Sequence, residues 1–205
     1  ILAATTPGEP EIFASLQGEG PSAGKPCAFI RLSHCNLACS WCDTAYTWDF
    51  THHDRKANQV TLPEADAAAQ IAALGQTRLV ITGGEPLLQA PTLARFIALL
   101  PQMHIEVETN GTVIPPPNLD ALIHQYNVSP KLAHSGNPAA IALDPAKLAH
   151  WATNLRTWFK FVVAAPDDLA EVLSLQQAHA IPAARIFLMP EGRDSETLRS
   201  RATWL

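Results

Sequence analysis

The 205-residue chain has no apolar run near the roughly 18 residues that a membrane-spanning helix requires. Its first ten residues lack the basic start and apolar centre of a secretory leader, so the cytoplasm is the expected location. Charge is scarce, with Asp, Glu, Lys and Arg at 16% and a formal balance of −5. A mildly acidic chain argues against wrapping nucleic-acid phosphates. No internal repeat and no low-complexity tract occurs. The 17 prolines are spread over many segments, densest at Val113 to Asn118, which reads as a connection. What remains is 47% hydrophobic, enough for a sizeable core and unlike a disordered segment. The length fits one domain over residues 1–205. The chain opens without Met and stops inside an amphipathic pattern at Arg199 to Leu205. Further residues are therefore expected beyond both ends.

Cysteine is also scarce. There are four, Cys27, Cys35, Cys39 and Cys42, and without a leader they are expected as free thiols. Cys27 begins a β-prone run and reads as a small apolar packing residue. The other three lie within eight residues as C-x3-C-x2-C, with no fourth nearby. Structural zinc takes four ligands. A [4Fe–4S] cluster is commonly held by four thiolates, so three leave one iron open to a small chelating molecule. Thiolates are soft ligands, which favours iron–sulfur or zinc over magnesium or calcium. A zinc site completed by His34 or by the His52-His53 pair is the alternative; otherwise that pair reads as a solvated loop. Trp41, between the second and third cysteines, would shield a cluster or stack on a ligand.

Strand and helix patterns alternate along the chain. Strands are predicted at Cys27 to Leu32, Arg78 to Thr82, His104 to Thr109, Tyr126 to Ser129, Trp158 to Val163 and Arg185 to Met189. Helices are predicted at Leu62 to Leu74, Pro91 to Leu100, Leu119 to His124, Pro145 to Trp151, Pro166 to Ala180 and from Asp194 onward. Thr61 is the expected N-cap of the first, with Pro63 in its first turn. Such alternation implies an α/β fold with a parallel sheet. A full eight-fold barrel needs about 250 residues, so a partial (β/α)6 TIM-like barrel fits this length better. Chemistry should then gather just after each apolar run, at the strands' C-terminal ends.

Two motifs meet that demand. The cysteine loop follows the first strand. Thr82-Gly83-Gly84-Glu85-Pro86 closes the second. Paired glycines let a backbone approach a ligand closely, and a carboxylate behind them can bind an ammonium. Alone, this segment also reads as a plain strand-to-helix turn.

In this order on this β/α pattern, the two motifs resemble the radical SAM superfamily. The resemblance implies a radical SAM core and an open iron chelated by S-adenosylmethionine. Reduction of the cluster then yields a 5′-deoxyadenosyl radical. Further segments sharpen it: Glu11 to Gly20 (EIFASLQGEG), Phe29 to Leu32, Trp41 to Thr44, Val107 to Gly111 and Ser129-Pro130-Lys131. Together, from about Glu11 to Glu191, they resemble the 7-carboxy-7-deazaguanine synthase family. Those enzymes act on 6-carboxy-5,6,7,8-tetrahydropterin in queuosine biosynthesis.

That resemblance implies roles position by position. Cys35, Cys39 and Cys42 would ligate the cluster. Trp41, Asp43, Gly84, Glu85, Ser129, Pro130 and Lys131 would contact S-adenosylmethionine. Leu16, Gln17, Gly18, Arg31 and Thr82 would hold the pterin, with Arg31 on its carboxylate through a planar fork. Thr44 would help bind Mg2+, a hard cation that often shares oxygen ligands with substrate. A flavodoxin or ferredoxin would supply the electron, and the chain would form a homodimer. Met189, Pro190 and Glu191 match the family only loosely as cofactor neighbours. No residue of a C-terminal, substrate-reaching tail can be carried over, because the chain stops at Leu205.

Some residues keep two readings. Arg31 in an apolar strand could serve a structural ion pair instead of a ligand. Lys160 raises the same question. Glu108 either faces the site or makes a buried hydrogen bond. Two other functions stay open: a different radical SAM enzyme, such as a glycyl-radical activase, and a non-enzymatic iron–sulfur or zinc module.

Overall fold

In the computed structural model, which describes residues 1–205, strands and helices alternate as the sequence pattern implies. The strands are β1 (Leu2–Ala3), β2 (Ile12–Leu16), β3 (Pro26–Leu32), β4 (Gln59–Val60), β5 (Arg78–Gly83), β6 (His104–Thr109), β7 (Gln125–Val128), β8 (Thr157–Val163) and β9 (Ile186–Pro190). Six of them pair in parallel in the order β3-β5-β6-β7-β8-β9, which is also their order along the chain. An order that never reverses sends each right-handed crossover to one side. The helices then share one face, and the other face curls inward. β9 pairs only with β8, so the barrel stays open.

The helices are α1 (Arg55–Asn58), α2 (Glu64–Ala73), α3 (Ala90–Ala98), α4 (Pro117–Asp120), α5 (Ala139–Ala142), α6 (Pro145–Thr153), α7 (Asp168–Ala178) and α8 (Ser195–Ala202). None is long and apolar enough to cross a membrane.

Side chains alternate across each strand. Ile30 and Leu32, Leu79 and Ile81, Ile105 and Val107, Tyr126 and Val128, and Phe159 and Phe161 pack with Leu93, Phe96 and Trp151 of α3 and α6 in one core. Each such side chain contributes about 1.5–3 kcal/mol when taken from water. The interleaved residues face the barrel interior, and many are polar: Arg31, Thr82, Glu106, Glu108, Asn127 and Lys160. The register sets Arg31 beside Thr82 and Glu108 beside Asn127.

The expectations fail in a few places. β1 and β4 have two residues each, too few to show a period. β2 lies antiparallel on β3 with Phe13 stacked on Phe29 at 5.1 Å, and its alternation is weak. The first predicted helix begins at Glu64, not Leu62, and Thr61 does not cap it. Pro63 occupies the cap position with ψ 144°, and a proline disfavours helical geometry in the residue before it. The helix predicted at Leu119 to His124 is instead the single turn α4, opening inside the proline cluster with Pro117 at its start.

Candidate active site

A cavity of about 340 Å3 opens at the C-terminal ends of the parallel strands. The loops after β3, β5, β6, β7 and β9 wall it, and the polar inner face of the sheet floors it. Gln17, Gly18, Arg31, Cys35, Cys39, Trp41, Cys42, Asp43, Thr44, Thr82, Gly84, Ser129 and Lys131 all line it, although the first and last are 114 positions apart. Three expected site residues do not. Leu16 is 60% exposed at the end of β2. Pro130 is buried beside the lining residues. Glu85 is fully buried behind the wall.

The cysteine loop is pinned from several sides. Asn137 donates to Cys39 Sγ at 3.2 Å, Trp48 Nε1 to Cys42 Sγ at 3.3 Å, and Asn110 to Cys35 Sγ at 3.7 Å. Burial pushes the Cys35 thiol up to about 11, with Glu85 adding to the shift. Burial also raises Cys39, against the opposing pull of Lys131. Thiols in such a pocket stay protonated unless a metal takes the charge.

Gly83 and Gly84 lie against the start of this loop. A Cβ on Gly83 would sit 2.1 Å from the Leu32 carbonyl oxygen, and Gly83 has φ +135°. A Cβ on Gly84 would sit 2.0 Å from that of His34. The Glu85 carboxylate turns away. It accepts hydrogen bonds from Leu87 N at 3.0 Å, Asn110 N at 2.7 Å and Thr109 Oγ1 at 2.9 Å. It thereby ties the glycine turn to the end of β6 and has no oxygen facing the cavity. Burial raises its pKa to about 7.

On the other side of the mouth, Lys131 Nζ bonds Ser129 Oγ at 2.9 Å and sits 5.3 Å from the Trp41 ring centre. Trp41 stacks on His134 at 5.6 Å. Its indole nitrogen is buried without a partner, an unmet donor of the kind a ligand satisfies.

The floor is a charged network. Arg31 Nε pairs with Glu11 at 3.3 Å, and Tyr46 OH holds the other Glu11 oxygen at 2.6 Å. Arg31 is thus both structural partner and cavity wall, with its terminal nitrogens free of protein partners. Lys160 pairs with Glu19 at 2.6 Å. Burial alone would lower the Lys160 pKa, but Glu19 and Glu108 together raise it. Glu108 accepts from Thr82 at 2.7 Å and from Gln17 at 3.1 Å. Burial raises its pKa, Glu19 adds to the shift, and Lys160 opposes it. Glu108 therefore faces the site and is hydrogen-bonded as well.

The model of the radical SAM superfamily matches residues 30–132, from β3 to the residue after Lys131. The 7-carboxy-7-deazaguanine synthase of Pyrobaculum aerophilum is 39% identical over 188 residues, spanning 91% of this chain and 80% of its own. That of Halobacterium salinarum is 38% identical over 93% of this chain and 79% of its own. The chain belongs to the 7-carboxy-7-deazaguanine synthase family of radical SAM enzymes. The crystal structure of QueE from Escherichia coli superposes with a TM-score of 0.62 at 25% identity, covering 99% of this chain and 89% of that one. Streptococcus suis SuiB, at 11% identity and a TM-score of 0.56 over 83% of this chain and 41% of its own, shares the fold. Membership of the 7-carboxy-7-deazaguanine synthase family displaces the activase reading.

The donor set fits the cluster that radical SAM enzymes of this family carry. Three sulfurs each receive an N–H, and the loop is tethered on both flanks. The radical SAM match and the family membership favour the cluster over the zinc alternative, and no three His, Cys, Asp or Glu side chains converge on a single-ion position. The same observation bears on Mg2+. Thr44 Oγ1, 3.8 Å from Cys42 Sγ, brings no carboxylate cage with it, so an ion there would need substrate and water oxygens. Sequence reasoning missed Glu19, Trp48, Asn110 and Asn137 as site residues. Only the QGEG run around Glu19 and the Val107 to Gly111 run around Asn110 carried a signal.

Proposed function

We propose that the chain converts 6-carboxy-5,6,7,8-tetrahydropterin to 7-carboxy-7-deazaguanine by an Mg2+-dependent ring contraction with loss of ammonia. The observation that carries this reading is one cavity whose wall holds the three cysteines and whose floor holds Arg31, Lys160, Glu108, Thr82 and Gln17. When bound, the cluster and S-adenosylmethionine would supply the radical chemistry for hydrogen abstraction from the substrate. The protein binds, orients and shields. Arg31, fixed through Nε by Glu11, presents its remaining amino groups to the substrate carboxylate. Thr82, Glu108 and Gln17 offer acceptors and donors suited to the pterin ring edge. Trp41, Asp43, Gly84, Ser129 and Lys131 line the side suited to S-adenosylmethionine, with Pro130 holding their turn and Glu85 acting from behind. Gly18 and the backbone at Leu16 edge the substrate side. Thr44 would contribute one hydroxyl to Mg2+, with substrate and water oxygens supplying the other ligands.

The one-electron donor in this reading is a flavodoxin or ferredoxin. The chain works in the reducing cytoplasm, which free cysteines need, and as a homodimer, for which the unpaired outer edge of β9 offers a surface. The test is anaerobic turnover with reconstituted protein, reductant, S-adenosylmethionine, Mg2+ and the carboxytetrahydropterin. Deazaguanine product is expected, with about four iron and four sulfide per chain. No product from loaded protein sinks the assignment. A Thr44→Ala variant should need more Mg2+ for half-maximal rate; unchanged Mg2+ dependence removes Thr44 from the ion.

A further inference from the structure

Each cysteine of the cluster loop receives one side-chain N–H, and each donor comes from a different part of the chain. Trp48 follows the loop, directly after the 3-10 turn Ala45–Thr47. Asn110 ends β6. Asn137 lies 98 residues from the cysteine it touches, on the loop after β7. Two of these contacts are short, Asn137 to Cys39 at 3.2 Å and Trp48 to Cys42 at 3.3 Å, whereas Asn110 to Cys35 is 3.7 Å.

The two short donors are held in place. The Asn137 Oδ1 accepts Ala38 N at 2.9 Å, and its Nδ2 also reaches Ser135 Oγ at 3.2 Å. The opposite needs of these neighbours fix which end of the amide faces the sulfur. Trp48 has a single N–H, donor only, and it donates to the Cys42 sulfur. Trp48 lines the cavity, as do Cys42 and Thr44. Neither donor is needed to complete a backbone ladder.

We propose that the Trp48 indole and the Asn137 amide set the reduction potential of the cluster by donating to two of its ligating sulfurs. This rests on the reading that Cys35, Cys39 and Cys42 carry a [4Fe–4S] cluster. One-electron reduction adds negative charge to the cluster and its thiolates and breaks no protein bond. An N–H aimed at a sulfur stabilises the more negative state, so each donor raises the potential. In a half-buried loop, weaker solvent screening enlarges the effect. A donor lost on either side makes the cluster harder to reduce by the same external reductant.

The test uses the full chain, reconstituted anaerobically, and an EPR-monitored titration with dithionite and mediators in the absence of substrate. Trp48→Phe keeps an aromatic side chain and removes the N–H. Asn137→Leu keeps the branched shape and removes the amide. Trp158→Phe is the control, since Trp158 packs on Phe187 and does not line the cavity. Each of the first two should lower the reduced-to-oxidised ratio at fixed potential by about three- to ten-fold. Tenfold corresponds to about 59 mV for one electron. The double variant should shift further, and the control should not move. Iron and sulfide are counted in every sample. A loaded Trp48→Phe protein with the wild-type midpoint overturns the proposal for Trp48. A loaded Asn137→Leu protein with the wild-type midpoint, or one that takes up no iron, overturns it for Asn137. Wild-type protein that binds no iron and sulfide would instead sink the cluster reading itself.

Discussion

A single methyl group at Gly84 should damage both the fold and the cluster loop. Gly84 directly follows the second parallel strand where it meets the cysteine loop, with its own N–H on the Leu32 carbonyl at 3.1 Å and the Glu85 N–H on that of His34 at 2.8 Å. In Gly84→Ala the new Cβ would lie 2.0 Å from His34 O, 2.5 Å from His34 C and 3.0 Å from Cys35 Cβ, where real Cβ contacts essentially never fall below 3.0 Å. The His34 backbone must retreat by about 1 Å, and it is tied in place by the Glu85 bond. Overpacking that side chains can absorb costs about 1–3 kcal/mol; a backbone obstacle puts this case at about 3 kcal/mol. For a domain of this size each kcal/mol moves the melting temperature by about 2–4 °C, so a drop of about 6–12 °C is expected. Because Cys35 follows His34, iron content should fall too. Gly18→Ala is the contrast. Gly18 also lines the cavity, but nothing lies within 4 Å of its added Cβ. Its melting temperature should stay within a few degrees of wild type, while KM for the pterin rises, because the methyl would meet the ligand alone. The assay is anaerobic thermal melting by circular dichroism, with iron counted on the same samples. A Gly84→Ala protein that melts within 2 °C or so of wild type and carries full iron would refute the reasoning.

Two other perturbations probe the floor and the wall. Lys160→Met should strand Glu19 and Glu108 without their cation, at a cost of about 3–5 kcal/mol. Adding Glu19→Gln should recover part of that loss, giving a coupling of about 1–3 kcal/mol in urea melts; strict additivity would mean the 2.6 Å pair contributes nothing. Glu85 tests the pH dependence. Its folded pKa, about 7, lies above the ordinary 4.5 because of burial. Its contribution is therefore fully present below about pH 4.5 and is lost as pH rises through about 7. At 1.36 kcal/mol per unit, this removes on the order of 2–3 kcal/mol between pH 5 and 8. In Glu85→Gln that slope should flatten, whatever the amide costs at every pH. Parallel slopes for variant and wild type would show that Glu85 does not titrate in this window.

Much of this molecule was legible because some residues tolerate few explanations. Three cysteines in eight positions have few fates, and paired glycines after an apolar run mark a backbone that must come close to something. Both features fell at strand ends, and the structure brings both to one cavity. The six parallel strands were legible because their core-facing positions are mostly β-branched or aromatic and most runs end at turn residues. β1 and β4 were not, because two residues have no period. The cap failed for a local reason: Thr61 has the right side chain, but Pro63 forces the turn to start beyond its reach.

The floor was harder, and the reason is distance along the chain. Arg31, Glu108 and Lys160 each announced a problem, a charge in an apolar strand, without naming its solution. The solutions are Glu11, Thr82 with Gln17, and Glu19, and the last pair spans 141 residues. Glu, Gln and Thr are common surface residues, so nothing local marks them as partners. What joins them is the strand register, which sets Arg31 level with Thr82 and Glu108 level with Asn127. The same holds for Asn137, one ordinary asparagine in a Gly-Asn-Pro turn until the loop after β7 folds against the cysteines. A sequence therefore displays the groups whose own chemistry is unusual. It conceals the ordinary groups that hold them, because those are selected by topology, and in this fold topology decides which thiolates receive an N–H and which cations are paired.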